Sequence, residues 1–236
     1  MQEHVVIVGG SSGMGRALAA ELVAQGSEVT VAGRAPAKLD AVRRELGVRT
    51  VAMDLGSEQD IERLFATTGK VSHIVTTAAD VGGAYQPIAK YDVAAARSAV
   101  DSKLIGPLLL AKHGAPMLEP GGGSIVFTSG IAAYRPGPRA SLLAALNGAL
   151  ASLAAALAVE LAPLRVNVVS PGWVDTPIWK DVAGDAAPET LSAMAARLPV
   201  GRIGRPQDIA AAIIALLRNG FITGTVLHAD GGHRLA

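Results

Sequence analysis

The chain has 236 residues, of which half are hydrophobic, and its formal net charge is +1. This length suits one domain with a substantial core, and the balanced charge argues against a nucleic-acid interface or a basic membrane-binding patch. Cysteine is absent, which excludes disulfides, thiolate chemistry and cysteine-ligated metal sites.

The chain begins MQEHVVIVGG and enters a predicted strand almost at once, without the pattern of a signal peptide. We find no apolar run that is both long and uninterrupted enough to predict a membrane span. We therefore expect a cytoplasmic protein that binds neither membrane nor nucleic acid.

Short β-branched runs alternate with helical patterns along the whole chain. Continuous apolar runs of this kind are typical of strands that are covered on both faces of a sheet. The alternation predicts the α/β class: a single-domain Rossmann fold over residues 1–236, with a doubly wound, seven-stranded parallel sheet and helices on both faces. The predicted strands are Val5–Val8, Val29–Ala32, Val48–Met53, His73–Thr76, Ser124–Thr128, Val166–Val169 and Thr225–His228, and the predicted helices are Met14–Gln25, Pro36–Leu46, Glu58–Ala66, Val93–His113, Ser141–Leu161 and Gln207–Arg218.

The segment after the sixth strand, Pro177–Pro199, is too long for a simple connection. Insertions of this size beside a ligand-binding edge often act as lids. We therefore predict a substrate lid over residues 177–200. The alternative is a surface helix that does not contact a ligand.

A glycine-rich turn joins the first strand to the first helix in VVIVGGSSGMGRALAAEL. Gly9 permits a tight turn, Gly13 lets the backbone approach a pyrophosphate, and Gly15 lets the helix pack close to the sheet. The helix N-terminus offers free N–H groups and a positive dipole end, and Ser11 and Ser12 can add hydroxyl donors. This arrangement predicts a dinucleotide phosphate site.

The spacing of these glycines, G-x-x-x-G-x-G, resembles that of the short-chain dehydrogenase/reductase (SDR) family. Further matches extend the resemblance over nearly the whole chain. It implies a Rossmann fold and a homodimer or homotetramer that pairs the two long helices, Val93–His113 and Ser141–Leu161. The other matching segments are the Asp54-Leu55 pair, Arg165–Gly172, Ser170–Pro177, Arg202–Ala210 and Thr223–Gly232.

The end of the second strand indicates which dinucleotide is bound. An NAD site would place an acid there for the ribose 2′-hydroxyl, but this chain has Gly33 followed by Arg34, which can bind a 2′-phosphate. We therefore predict NADP(H). The alternative is that Arg34 is a surface arginine on a connecting loop. The stretch Val75–Ala79 reads VTTAA where the family usually has V-N-N-A-G.

By resemblance, Asp54 accepts from the adenine amine and Thr176 binds the nicotinamide carboxamide. The predicted cofactor-binding residues are Gly9, Ser11, Ser12, Gly13, Met14, Gly15, Arg34, Asp54, Leu55, Thr77, Ala78, Pro171, Gly172 and Thr176.

The catalytic residues of ketone-reducing SDR enzymes are missing. The family uses Ser, Tyr and Lys with a supporting Asn, and its Tyr and Lys form Y-x-x-x-K on the helix after the fifth strand. Here Leu143 stands at the Tyr position and Asn147 at the Lys position. Gly130 stands at the Ser position and Lys103 at the Asn position. This helix therefore cannot supply the proton in the family's usual way.

Four residues are candidates for the missing chemistry: Lys103, Ser129, Tyr134 and Asn147. The family's Asn and Lys are near neighbours, so the exchange to Lys103 and Asn147 suggests that the ammonium has moved from one helix to the other. The alternative is that Lys103 points into water or a subunit interface. Ser129 could orient a carbonyl, and Tyr134 could donate a proton. Tyr134 could equally form a surface pair with Arg135.

Further residues are expected around the substrate. Arg135 could bind a carboxylate or stabilise an oxyanion, while Asp175 beside Trp173 could stabilise a cationic substrate such as an iminium. Trp179 and Tyr85 could form apolar walls. We see no metal-ligand spacing and expect no metal. The histidines without a paired carboxylate motif, which we treat as structural, are His73, His113, His228 and His233.

Three functions are compatible with this sequence. The first is an NADP(H)-dependent oxidoreductase with a non-standard site, acting on a small carbonyl, imine or activated alkene. The second is a non-redox cyclase or isomerase that keeps the dinucleotide as a wall of its site. The third is a catalytically silent NADP(H)-binding protein. Function must be decided from the site, because the fold permits all three.

Overall fold

The computed structural model describes residues 2–78, 82–119 and 121–236. Its centre is a seven-stranded, all-parallel sheet in the order β3-β2-β1-β4-β5-β6-β7. This confirms the predicted α/β class and Rossmann topology. The strands are β1 His4–Val8, β2 Glu28–Gly33, β3 Arg49–Ala52, β4 His73–Thr76, β5 Ser124–Thr128, β6 Arg165–Pro171 and β7 Val226–Ala229.

Helices cover both faces of the sheet. Residues of β1 alternate between the two cores, since Val6 and Val8 belong to one apolar cluster while Val5 and Ile7 belong to the other. The sequence therefore shows continuous apolar runs rather than alternation. The helices are α1 Gly13–Ala24, α2 Pro36–Leu46, α3 Glu58–Thr68, α4 Val93–Val100, α5 Gly106–Gly114, α6 Ser141–Glu160, α7 Ile178–Ala183, α8 Ala187–Ala195 and α9 Pro206–Arg218.

The predicted continuous helix Val93–His113 is wrong, because a π-helical turn at Asp101–Ile105 separates α4 from α5. Pro107 has no N–H group, and its ring crowds the carbonyl four residues earlier, which belongs to Lys103. Gly106 is required beside the proline, since a Cβ there would press on the backbone of Leu55. The wider turn carries Lys103, one of the candidate catalytic residues.

Helix α6 corrects the expectation of no membrane-length segment. By length and composition it could cross a bilayer, with 20 residues and a mean hydropathy of 2.0 over its most apolar window. Leucine and alanine keep this mean high in spite of the single amide, Asn147. Core helices of globular proteins meet the same criteria, and here Leu146, Leu150 and Leu157 are buried. Only a third of the window is buried, so a wide face of α6 is left uncovered.

The sheet order reverses between β1 and β4. The chain moves from β1 to β2 and β3 on one side, then returns to β4 on the other. The loops that follow β1 and β4 therefore diverge at the carboxyl edge of the sheet and leave a crevice. Both ligand cavities described below open at this edge.

Candidate active site

The glycine-rich turn has no room for side chains. Gly9 has a φ of +93°, and a Cβ there would overlap the backbone of Ala78. A Cβ on Gly15 would overlap the carbonyl of Gly9 and the hydroxyl of Thr77. The Thr77 Oγ1 donates to that carbonyl at 3.2 Å. The turn is thus held against the end of β4, where its backbone can approach an anion.

A groove of about 340 Å³ runs over this turn. Helix α1 begins at Gly13 after Ser12, whose side chain makes no capping hydrogen bond, so its hydroxyl can face an anion. The glycine cradle, the helix terminus and the groove together fit a dinucleotide. The predicted residues that line the groove are Gly9, Ser11, Ser12, Gly13, Met14, Gly15, Arg34, Asp54, Leu55, Thr77, Ala78 and Thr176.

The far end of the groove carries positive charge. Gly33, Arg34 and Lys38 line it together, and Asp54 is the only acid among its described lining residues. Asp54 is not at the end of β2, and its Oδ1 accepts from the Gly56 N–H at 2.8 Å. Lys38 was not among the predicted cofactor-binding residues, although its position four residues after Arg34 could have identified it. Two cations at the end of β2, where an NAD site would place an acid, suit a 2′-phosphate.

A second cavity of about 1040 Å³ continues from the groove. The two share Met14, Thr77, Ala78, Thr176 and Ile178. Thr176 packs directly over the glycine-rich turn, since a Cβ on Gly13 would lie 3.4 Å from its Cγ2. Pro171 and Gly172, predicted near the nicotinamide, line this second cavity. A dinucleotide in the groove would therefore extend its nicotinamide into the larger cavity. Residue Ala79 of the VTTAA stretch lies outside the described residues.

Lys103 lies in the wall of the larger cavity and is only 6% exposed. Its Nζ donates to the Thr128 carbonyl at 3.3 Å. Burial lowers the pKa of Lys103 to about 8, because the charged form is poorly solvated there. The amine thus faces the site and not bulk water.

The amide of Asn147 occupies the space that a serine side chain would take at the neighbouring position. A Cβ on Gly130 would lie 3.1 Å from Asn147 Nδ2. Asn147 is 2% exposed, and its Oδ1 has no hydrogen-bond partner within the described part of the chain. Ser129 Oγ donates to the backbone carbonyl of Asn147 at 2.9 Å. Leu143 adds an apolar side chain to the cavity wall. All four residues line the same cavity.

Tyr134 and Arg135 line the cavity from the loop after β5. The Tyr134 ring packs edge-on against His228, with ring centroids 4.6 Å apart, and 38% of the residue is exposed. The Tyr134 ring thus packs on His228, whereas the alternative had paired it with Arg135. The contact joins the β5 loop to β7, which local sequence could not show.

Trp173 and Trp179 form the aromatic wall. Their rings are stacked with centroids 4.3 Å apart, and Trp179 Nε1 donates to the Val174 carbonyl at 2.7 Å. Tyr85 lines the same cavity from the segment after β4. The predicted lid segment consists of α7 and α8, and it contributes four lining residues: Ile178, Trp179, Met194 and Arg197. Met194 and Arg197 were missed because their side chains reach the site only through the fold.

Asp175 does not belong to the site. It is exposed, and it is absent from the described lining of both cavities. A β-bridge between Val174 and Gly204 draws this stretch outward, and the Asp175 N–H donates to the Gly204 carbonyl at 2.9 Å. The acid expected to stabilise a cationic substrate is therefore elsewhere.

Two histidines treated as unpaired do face carboxylates. His73 Nε2 lies 3.4 Å from Glu3 Oε1. His113 Nε2 lies 2.8 Å from Glu58 Oε1 and 3.9 Å from Glu62 Oε1. Each pair joins residues that are far apart in the sequence, so no local motif could predict it.

The trio Glu58, Glu62 and His113 brings together three possible metal ligands, with donor atoms within 4.8 Å of one another. The sequence showed no such spacing. However, the Lys112 ammonium lies 2.6 Å from Glu58, and both acids are exposed. The cluster is an ion-pair network beside α5. His233, also treated as structural, lines the substrate cavity.

Comparison with known proteins identifies the family. The family model described as enoyl-(acyl carrier protein) reductase matches residues 8–234. The short-chain dehydrogenase/reductase malC of Malbranchea aurantiaca is 35% identical over 249 residues, covering 98% of this chain and 94% of malC. The solved structure of MalC reductase/Diels-Alderase has a TM-score of 0.92 at 34% identity, covering 98% of this chain and 96% of that chain.

A small-chain dehydrogenase solved in complex with NADPH is also similar. It is 34% identical, covers 100% of both chains and has a TM-score of 0.85. The family resemblance and the cofactor prediction are thus confirmed. The chain belongs to the short-chain dehydrogenase/reductase family, as an oxidoreductase that uses NADP(H).

Proposed function

We propose that this protein is a reductase with a non-standard active site, in which Lys103 takes over the proton and charge chemistry of the missing tyrosine. Its substrates are small organic molecules with a carbonyl, imine or activated alkene. The observation that carries this proposal is the buried Lys103 amine in the wall of the cavity that continues from the dinucleotide groove. NADPH, when held in the groove, would supply the hydride.

Lys103 has the properties required of a proton donor. With its pKa lowered to about 8 by burial, the amine is protonated at neutral pH and close to the range where proton transfer is efficient. The bond to the Thr128 carbonyl uses one of its three N–H donors. A fixed ammonium in a dry wall also stabilises negative charge as it develops on a substrate atom.

Asn147 and Ser129 are assigned to positioning. An amide does not titrate, so Asn147 cannot donate the proton, but its unpartnered Oδ1 can accept from a ligand hydroxyl or amine. Leaving such an atom unpaired costs about 1–3 kcal/mol, which a bound ligand would offset. Ser129 Oγ is directed at the Asn147 carbonyl and fixes that turn of α6. Tyr134, at the partly exposed loop, is the second candidate donor.

The surroundings of the site complete the proposal. We assign the segment at residues 177–200 as a substrate lid, supported by its four side chains in the cavity wall. We also assign a cytoplasmic homodimer or homotetramer, paired through α4–α5 and α6. The uncovered face of α6 supports this assembly, because it carries small side chains at Ala145, Ser152 and Ala156.

A non-redox reaction is the second candidate. The solved relative is described as a reductase/Diels-Alderase, so this fold carries both a redox and a ring-forming activity in one protein. The cavity of about 1040 Å³ would enclose a large folded substrate. In this case the nucleotide would serve as a wall of the site. Product formation without NADPH oxidation would identify this reaction.

The proposal is tested by fluorescence titration with NADPH and NADH, followed by NADPH-oxidation screens against carbonyls, imines and enones. We expect NADPH to bind at micromolar concentration and NADH much more weakly. Lys103→Met should retain NADPH binding and lose about 10²–10⁴-fold in turnover, the range typical of a lost general acid. Lys90→Ala, an exposed lysine outside both cavities, is the control. Full turnover by Lys103→Met would refute the assignment.

A further inference from the structure

Two arginines approach the mouth of the substrate cavity from different elements. Arg135 lies on the loop after β5, and Arg197 lies at the end of the lid segment after α8. Neither side chain makes a hydrogen bond or ion pair within the described ranges, 2–78, 82–119 and 121–236. Other exposed arginines, such as Arg16 and Arg202, are engaged by a carboxylate. The two guanidiniums at the mouth are therefore available to a ligand.

The two arginines border the same cavity as His233. His233 also lines the cavity, and its pKa is lowered chiefly by burial and then by the Arg135 cation, with a smaller effect of Arg197. Asp230 acts in the opposite direction. Both guanidiniums are thus close enough to the same imidazole to influence its charge. A single anionic group bound near His233 would be attracted by both.

The charged side chains of the cavity are all of one sign. Lys103, Arg135 and Arg197 line it, whereas no Asp or Glu is found among its described lining residues. Asp175, the acid that could have favoured a cation, faces outward. Clefts lined by one sign of charge with apolar walls concentrate ligands of the opposite sign. A cationic substrate is disfavoured on the same ground.

The apolar part of the cavity carries an aromatic surface against which a flat ring could pack. The stacked Trp173 and Trp179 have an interplanar angle of 17°, and the hydrogen bond from Trp179 to the Val174 carbonyl fixes the pair. Trp173 also meets His233 edge-on, at 6.5 Å between centroids. The aromatic wall therefore adjoins His233, whose charge both arginines influence. An aromatic face next to paired guanidiniums matches a ring that carries a carboxylate.

We propose that the cavity selects an aromatic or polycyclic carboxylate, with its ring against Trp173 and Trp179 and its carboxylate bound by Arg135 and Arg197. This inference rests on the proposed reductase function and names its substrate class. The reducible group of such a substrate would extend toward Lys103, on the side of the cavity that joins the dinucleotide groove. The lid segment would then sense the substrate directly, because it supplies Arg197.

Isothermal titration calorimetry tests this proposal with 2-naphthoate and its neutral counterpart 2-naphthamide, each added to protein saturated with NADP⁺. We expect naphthoate to bind at least about tenfold more tightly, as for a charge-assisted pair of contacts. Arg135→Ala and Arg197→Ala should each weaken naphthoate about fivefold, and should leave naphthamide unchanged. Arg135→Lys and Arg197→Lys should recover part of the loss.

Arg44→Ala is the matched control, since Arg44 is an exposed arginine on α2 that lines neither cavity. Trp179→Leu should weaken both ligands alike. Equal binding of naphthoate and naphthamide, or no effect of either arginine variant, would overturn the proposal. NADP⁺ binding measured on the same samples separates the two levels: if nucleotide binds normally and naphthoate is not preferred, only the substrate class is wrong. If nucleotide does not bind, the reductase proposal itself fails.

Discussion

At the scale of single residues, Lys103 predicts a pH dependence. Because its pKa is lowered to about 8, the ammonium is fully formed below that pH and is lost above it. When the amine donates the proton in the reductive direction, kcat/KM is flat below pH 8 and falls about tenfold per pH unit above it. Steady-state kinetics between pH 6 and 10 measure this limb.

Two substitutions separate this effect from other ionisations. Lys103→Arg should move the alkaline limb upward, since a guanidinium stays charged, and Lys103→Met should remove it. A limb that persists unchanged in Lys103→Met belongs to another group, and Tyr134 at the cavity mouth would be the next residue to replace.

Arg34 predicts the nucleotide preference. Arg34→Ala should weaken NADPH by about tenfold to a hundredfold, because a charge-assisted contact to the 2′-phosphate is lost, and should leave NADH nearly unchanged. Parallel titrations with both nucleotides measure the difference, with Arg44→Ala as the surface control. An equal loss for both nucleotides would mean that Arg34 supports the loop and does not recognise the phosphate.

Gly15 tests the close approach of α1 to the sheet. Gly15→Ala places a Cβ against the Gly9 carbonyl and the Thr77 hydroxyl, so the turn must shift. We expect about 1–3 kcal/mol of destabilisation and a large loss of NADPH binding. Urea unfolding and the NADPH titration measure both effects. Gly122→Ala, where a Cβ would meet nothing within 4 Å, should be nearly neutral. A fully stable, NADPH-binding Gly15→Ala protein would contradict the packing argument.

At the scale of elements, the exposed side of α6 predicts assembly. Its alanines at 145 and 156 lie on one face with Ser152 and offer a close-packing surface. Ala156→Arg should convert the oligomer to monomers, measured by light scattering after size-exclusion chromatography. Ala41→Arg, on the exposed side of α2, is the control. A wild-type monomer, or an unchanged Ala156→Arg oligomer, would move the interface elsewhere.

Element prediction succeeded where the signal is local. The apolar runs of β1 and β5 predicted strands because buried parallel strands show no alternation. The π-helical turn was missed although its cause, Pro107, is visible in the sequence. The apolar pattern before and after that proline fits one continuous helix. This pattern led to the prediction of a single helix in spite of the proline.

At the scale of the whole molecule, the sequence located the site but not its shape. In a parallel sheet the carboxyl ends of all strands lie at one edge. The residues that follow β1, β4 and β6 could therefore be predicted to lie close together. The partners of Tyr134 and the inward turn of Arg197 depend on contacts between distant segments. The outward position of Asp175 likewise results from a bridge to Gly204. No local pattern carries such information.

The opposite edge of the sheet predicts how the whole fold responds to acid. His73 is 6% exposed, and its Nδ1 hydrogen-bonds the Ser124 hydroxyl at 2.9 Å. Burial lowers its pKa to about 4, assisted by Arg165 and Arg218 and opposed by Glu3.

In the unfolded chain the same imidazole titrates near its ordinary value of about 6.5. Between pH 6.5 and 4 the imidazole therefore binds a proton in the unfolded state but stays neutral in the folded state. The contribution of His73 to the free energy of unfolding is fully present above pH 6.5. It declines as the pH falls, by about 3 kcal/mol at most. His73→Gln keeps a polar side chain without this titration, so its unfolding free energy should fall less steeply in that window. Urea unfolding at pH 4, 5, 6 and 7 measures the slope, and an identical slope in His73→Gln would show that other groups govern acid stability.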